Sequence, residues 1–182
     1  ALNETTKAPG TVENRLSLHL QNTTMDHEIN QWLTRNAFKK IEVHTPIAID
    51  ITDTQRNYAD NTPGVEGNYD GSTGRPGKGY THLCAAAILG TAQNPEIMPL
   101  YQDTYGLEEE TKLMGKDTSD IDSQFKHYEK CIAFLSNNLC GHLGIDLLDR
   151  GADDEKYFGC ELYYRRWFII RLCDKKRYIS WN

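Results

Sequence analysis

Compact apolar runs alternate with polar, turn-rich stretches along this chain, and the alternation sets out its elements. From Asp26 to Lys40, the residues Ile29, Trp32, Leu33, Asn36 and Phe38 form an imperfect apolar face, with Asp26 placed to cap it. That spacing predicts a helix, broken near Pro46. Ile47-Ala48-Ile49-Asp50-Ile51 is short, apolar and rich in β-branched residues, which predicts a buried strand. Thr62 to Gly79 is dense in glycine and proline, which argues against helix and regular strand and leaves a mobile β-ribbon or an ordered loop. A connection of that length is uncommon without a function. Tyr80 to Leu89 and Ile97 to Tyr105 predict two further strands, giving an antiparallel meander, and Glu108 to Met114 adds a helical turn.

Asp122 to Leu139 reads as a helix with Phe125, Tyr128, Ile132 and Leu135 on one face, ended by Gly141 to Gly144. Leu143 to Leu148 is an apolar strand running into Asp149-Arg150-Gly151. Asp153 to Tyr164 is the next helix, with Asp153 or Asp154 at its N-terminus, where the helix dipole favours acids. Trp167 to Leu172 is a strongly apolar strand, and Tyr178 to Trp181 begins one more. Residues 1–15 read as frayed. The order β-β-β-α-β-α-β predicts an α/β fold, a mixed sheet with helices packed on it.

Composition changes this picture little. The chain has 182 residues, 38% hydrophobic and 25% charged, enough for one domain with a core and a small appendage. No apolar run approaches the ~20 residues that cross a bilayer, and residues 1–10 lack the order of a secretory signal. The expectation is a cytoplasmic protein with no membrane partner. Cys84, Cys131, Cys140, Cys160 and Cys173 are scattered without a Cys-x-x-Cys pair, so they read as small buried residues, not a disulfide framework or a zinc site.

Charge is uneven. The net value of −6 argues against non-specific attraction to nucleic acid by the whole chain. Yet Arg165, Arg166, Arg171, Lys175, Lys176 and Arg177 cluster against one acid, Asp174. Arg150 and Arg171, with Lys175, Lys176 and Arg177, read as phosphate contacts or as a solvated charge cluster. Arg75 and Lys78 place positive charge on the Gly-rich connection, where they are candidates to lie on DNA. No histidine pair has metal-ligand spacing, and no Gly-x-Ser-x-Gly elbow is present. His82, inside a strand, reads as a packing or hydrogen-bonded residue.

Two segments carry candidate chemistry. Ile47-Ala48-Ile49-Asp50 and Ile145-Asp146-Leu147-Leu148-Asp149 each lead an apolar strand into an aspartate. An isolated buried carboxylate is costly, so each aspartate should stand at a strand end, meet a partner or bind a cation. If the strands are neighbours, Asp50 and Asp149 converge, and a hard divalent cation, Mg²⁺ or Mn²⁺, relieves their repulsion. Two such ions about 3.5–4 Å apart suit phosphodiester transfer. The simpler reading is that each aspartate caps the turn after its strand. Asp53 reads as a turn residue and Asp146 as a strand residue on an exposed face.

The segment Asp149-Arg150-Gly151-Ala152-Asp153-Asp154-Glu155-Lys156-Tyr157-Phe158, followed by Trp167-Phe168-Ile169-Ile170-Arg171-Leu172, resembles the second-aspartate region of DDE-type insertion-sequence transposases. Ile47 to Asp53 resembles their first-aspartate strand, and Lys78-Gly79-Tyr80-Thr81-His82 the entry to the next one. The resemblance spans Pro46 to Arg177. It implies an RNase H-like catalytic core over residues 46–182, preceded by a helical or linker segment over 1–45. It also implies a Mg²⁺ or Mn²⁺ site on Asp50 and Asp149, cleavage and strand transfer of transposon DNA, action as a homo-oligomer, and nucleoid association when bound to DNA. Ala152 departs from the family, which carries an aromatic residue there, at a cost expected in packing. The family's third acid, a glutamate on a later helix, has no match before Asn182, and Glu161, twelve positions beyond Asp149, is a poor substitute. The expectation is therefore little or no strand transfer by residues 1–182 alone. The alternative is a non-catalytic DNA-binding or oligomerisation unit on the same fold.

Overall fold

In the computed structural model, which describes residues 25–56, 66–70, 73–105, 124–140 and 143–173, the run from Ile47 grows into a ten-residue strand, β1 (Pro46–Gln55). It is flanked in the chain by α1 (Met25–Phe38) and by β2 (Glu66–Asp70), β3 (Arg75–Thr91) and β4 (Asn94–Tyr105). Then follow α2 (Gln124–Asn138), β5 (Ile145–Leu148), α3 (Glu155–Tyr163) and β6 (Trp167–Ile170). One six-stranded sheet runs β2-β3-β1-β5-β6, with β4 also paired to β3. The pairs β1–β3, β2–β3 and β3–β4 are antiparallel, whereas β1–β5 and β5–β6 are parallel. The protein is thus α/β with a mixed sheet, and the meander and both parallel strands fall where the hydrophobic pattern placed them.

Alternation decides which face is covered. Ile47 and Ile49 of β1 and Leu83, Ala85 and Ala87 of β3 are buried, while Ala48, Ala86 and Ile88 between them are half-buried and Asp50 is exposed. The buried set joins one core with Tyr128, Ile132 and Leu135 of α2, Tyr157 and Cys160 of α3, and Ala37 of α1. Gly144 tightens the entry to β5. It sits at φ +82°, and a Cβ there would collide with the Ile47 side chain and come within 3.2 Å of the Thr45 carbonyl oxygen.

Several expectations need correction. Of the two forms open to the Gly-rich connection the structure has the β-ribbon, and that ribbon does contain regular strand: β2 and the start of β3 form a hairpin through Gly74 at φ +67°, with Gly79 paired to both Gln55 and Glu66. Long-range pairing overrides a poor local strand propensity here. The same pairing extends β1, so Asp53 is no turn residue but a strand residue opposite Thr81. Asp50 is likewise inside β1 rather than at its end. It does stand where the parallel partner stops, since the β1–β5 ladder ends at Ile49 and Leu148. The buried face of α1 is Asn30, Thr34 and Ala37, with Ile29 and Trp32 exposed. Asn30 and Thr34 bond the β4 backbone at Gln102 and Leu100, and these polar contacts are invisible to hydrophobic periodicity. Cys131 and Cys160 are buried, Cys84 and Cys173 half-buried and Cys140 exposed, all as free thiols. The helical turn at 108–114, the strand start at 178–181 and the frayed 1–15 lie outside the described residues. No helix among the described residues is long and apolar enough to cross a membrane.

Candidate functional site

Parallel pairing brings the two aspartates together. Ile49 pairs with Leu148; Asp50 follows inside β1, and Asp149 follows just past the end of β5. In a parallel ladder, residues at one level share a face. Both aspartates are exposed, and both line one cavity of about 270 Å³ with Ile49, Ile51, Leu83, Leu148, Gln124, Gly151, Ala152, Tyr128 and Tyr157. The cavity opens at the carboxyl ends of the parallel strands, where α/β sheets place their ligand sites. Ala152 is part of its wall.

Local chemistry fixes each carboxylate. Asp149 caps a short 3₁₀ turn, Arg150–Ala152, and its Oδ1 accepts the Gly151 backbone N–H at 2.7 Å. The capping role read from sequence therefore holds, and it orients the side chain. Asp154 caps α3 in the same way, accepting from the Lys156 N–H. Asp50 Oδ1 accepts the Ile51 N–H at 2.9 Å. Each carboxylate keeps its second oxygen without a hydrogen bond among the described residues. Gly151 matters for space: a Cβ there would stand 3.1 Å from Asp149 Oδ1, tighter than an ordinary contact. Gly151→Ala is expected to push the Asp149 carboxylate off its cap and weaken divalent-metal binding severalfold, with the thermal midpoint shifted by less than about 4 °C. Calorimetric metal titration alongside thermal melting checks this.

The predicted cations separate into three groups. Arg150 follows Asp149 directly and is exposed. Arg171 is exposed, and its backbone N–H bonds Leu148 O, which seats it one strand from Asp149. Arg75 and Lys78 are exposed on the ribbon, Lys78 about 20 Å up β3 from Cys84, the partner of Asp50, at 3.3–3.4 Å per residue. Lys175, Lys176 and Arg177 lie outside the described residues. Arg166, counted in the basic cluster, is a core residue with a fully buried side chain.

Asp146 is the clearest correction. It is not on an exposed face but wholly buried, gripped by Arg166 through Nη2 at 2.6 Å and Nε at 2.9 Å. Arg166 Nη1 donates to the Leu143 carbonyl. Glu161, also wholly buried, accepts from the Tyr128 hydroxyl through Oε1, so it is committed to the core and unavailable as a third ligand. Burial, then Asp146, push its carboxyl up to about 8. Burial works against the Arg166 charge, and Asp146 overrides it. Burial and the nearby Glu161 also hold the Tyr128 phenol far above its usual range. Burial, Asp154 and Asp149 raise Tyr157. His82 is hydrogen-bonded as expected, its ring joined to Thr54 and Thr104 across three strands.

Sequence reasoning missed the two tyrosines of the cavity wall and the Asp146–Arg166–Glu161–Tyr128 cluster. No group of three or more His, Cys, Asp or Glu side chains placed to hold a metal occurs among the described residues. The donor set does fit a hard cation in a narrower way. Mg²⁺ is commonly held by one or two carboxylates, with waters and substrate phosphates completing its octahedron, and Asp50 and Asp149 offer two carboxylates with free oxygens. No protein-family model and no curated protein matches the chain.

Proposed function

We propose that the chain is the catalytic core of a DDE-type transposase, acting on transposon-end and target DNA with Mg²⁺ or Mn²⁺. The observation that carries this reading is the register that sets Asp50 beside Asp149 over one cavity. An antiparallel meander β4-β3-β1 continued by two parallel strands, β5 and β6, supports the RNase H-like form of the α/β class. Asp50 and Asp149 would hold the metal. When bound, it supplies Lewis-acid charge at the scissile phosphate and lowers the pKa of a bound water. The chain's own contribution is positional. The Gly151 N–H and the Ile51 N–H fix the two carboxylates. Arg150 and Arg171 flank Asp149 and neutralise phosphates on the strand being cut. Arg75 and Lys78 extend the positive track along the ribbon to more distant DNA.

One observation favours a second reading, a DNA-binding or oligomerisation unit without catalysis: the described residues offer two acids at the site, not three. The test is fluorescence anisotropy with a short duplex carrying a free 3′-OH end. The expected result is binding that weakens with salt and tightens at least about fivefold, about 1 kcal/mol, when Mg²⁺ replaces EDTA. The Mg²⁺ gain is expected to vanish in Asp50→Asn. Binding indifferent to Mg²⁺ and to Asp50 selects the second reading. No binding at low salt overturns the first reading and the DNA-binding form of the second.

A further inference from the structure

Two wholly buried carboxylates, Asp146 and Glu161, share a single buried guanidinium. Arg166 spends Nε and Nη2 on Asp146 and Nη1 on the Leu143 carbonyl. For Glu161 there remains the Tyr128 hydroxyl, on Oε1. Its Oε2 is buried with no hydrogen-bond partner. An ionised oxygen in that position is costly. A protonated one is not: Asp146 lies within hydrogen-bonding reach of the Glu161 carboxyl and can accept its proton, and the cluster is then electrically balanced, one cation against one anion.

We infer that Glu161 stays protonated through the neutral range and that this proton latches α3 onto β5 and α2 behind the cavity. The groups facing Glu161 are Asp146 on β5, Arg166 just beyond α3, Tyr128 and Cys131 on α2, and Cys160 on its own helix. Burial holds both thiols neutral, so loss of the Glu161 proton sets two carboxylates against one cation. Tyr128 and Tyr157 transmit the change outward. Tyr128 bonds Glu161 and lines the cavity, and Tyr157 of α3 packs on Tyr128 with ring centroids 4.7 Å apart. Proton release to solvent at alkaline pH therefore loosens the wall behind Asp50 and Asp149. The inference holds whatever the cavity binds.

The sign follows from linkage. A carboxyl at its ordinary 4.5 when unfolded and about 8 when folded contributes stability that is fully present below 4.5 and lost as pH rises through about 8. The experiment uses the full chain with ¹³C-carboxyl glutamate. Infrared spectra near pH 7 are expected to contain one protonated glutamate band, which disappears above about pH 8. Between pH 6 and 8, amide protection over 155–163 is expected to fall at least about tenfold beyond the change in intrinsic exchange. Glu161→Gln, whose amide can donate to Asp146 and accept from Tyr128, is expected to lack the band and to lose less than about twofold of that protection. Absence of a protonated glutamate at pH 7 in the labelled wild type overturns the inference, whether or not the variant folds. So does an unchanged alkaline loss of protection in Glu161→Gln.

Discussion

Arg166→Met is expected to cost about 3–5 kcal/mol of folding stability, the usual effect of removing one partner from a buried ion pair. Methionine fills similar volume, so the loss is electrostatic. It leaves Asp146 charged, wholly buried and without its two guanidinium bonds, and it orphans the Leu143 carbonyl. Urea unfolding at pH 7 measures the loss as a drop in midpoint with an unchanged slope. The cluster is not a large net source of stability for that reason. Replacing Arg166, Asp146 and Glu161 together by apolar residues of similar size is expected to be close to neutral, because the desolvation of the Arg166–Asp146 charge pair and of the polar Glu161 carboxyl is then avoided. A large penalty for the triple replacement would show that the polar cluster itself holds the fold.

The second large effect concerns the carboxylate pair. Asp50→Asn and Asp149→Asn each keep an oxygen that accepts the local backbone N–H, from Ile51 and from Gly151, so the strand and the 3₁₀ turn persist. What each substitution removes is one negative charge and one hard oxygen donor. Each is expected to weaken Mn²⁺ or Mg²⁺ binding at least about tenfold, about 1.4 kcal/mol. Folding stability is expected to stay within about 1 kcal/mol of wild type, because both side chains are exposed. Neither variant is expected to bind the ion more tightly through relieved repulsion, since each lacks a ligand.

The parts of this arrangement that are legible in sequence are local ones. Asp149-Arg150-Gly151 reads as a turn opening a helix because cap, turn and helix start fall within six residues, ending at Asp154. The strands at Ile47 and Ile145 read from their apolar runs, whereas their adjacency is seen only in the structure. Distant pairing is not legible. Asp146 meets Arg166 twenty positions away, and Glu161 meets Tyr128 thirty-three positions away. In sequence, Arg166 is one more charge in a basic cluster, and Asp146 one polar residue in an alternating strand. A usable signal was present: Asp146 lies inside an otherwise apolar run, and a charge in that setting demands a buried partner. The buried face of α1 escapes the apolar pattern for a related reason. Asn30 and Thr34 are buried because they bond an unrelated strand's backbone, and no local pattern encodes that partner.

The shared site of Asp50 and Asp149 is tested most directly by Mn²⁺ titration of the wild type, both single Asn variants and the double variant, followed by electron paramagnetic resonance of the free ion. The expected result is one saturable Mn²⁺ per chain in the wild type, at least about tenfold weaker binding in each single variant, and little further loss in the double variant. Wild-type affinity in Asp149→Asn, or losses that add independently, would contradict a site built from both aspartates.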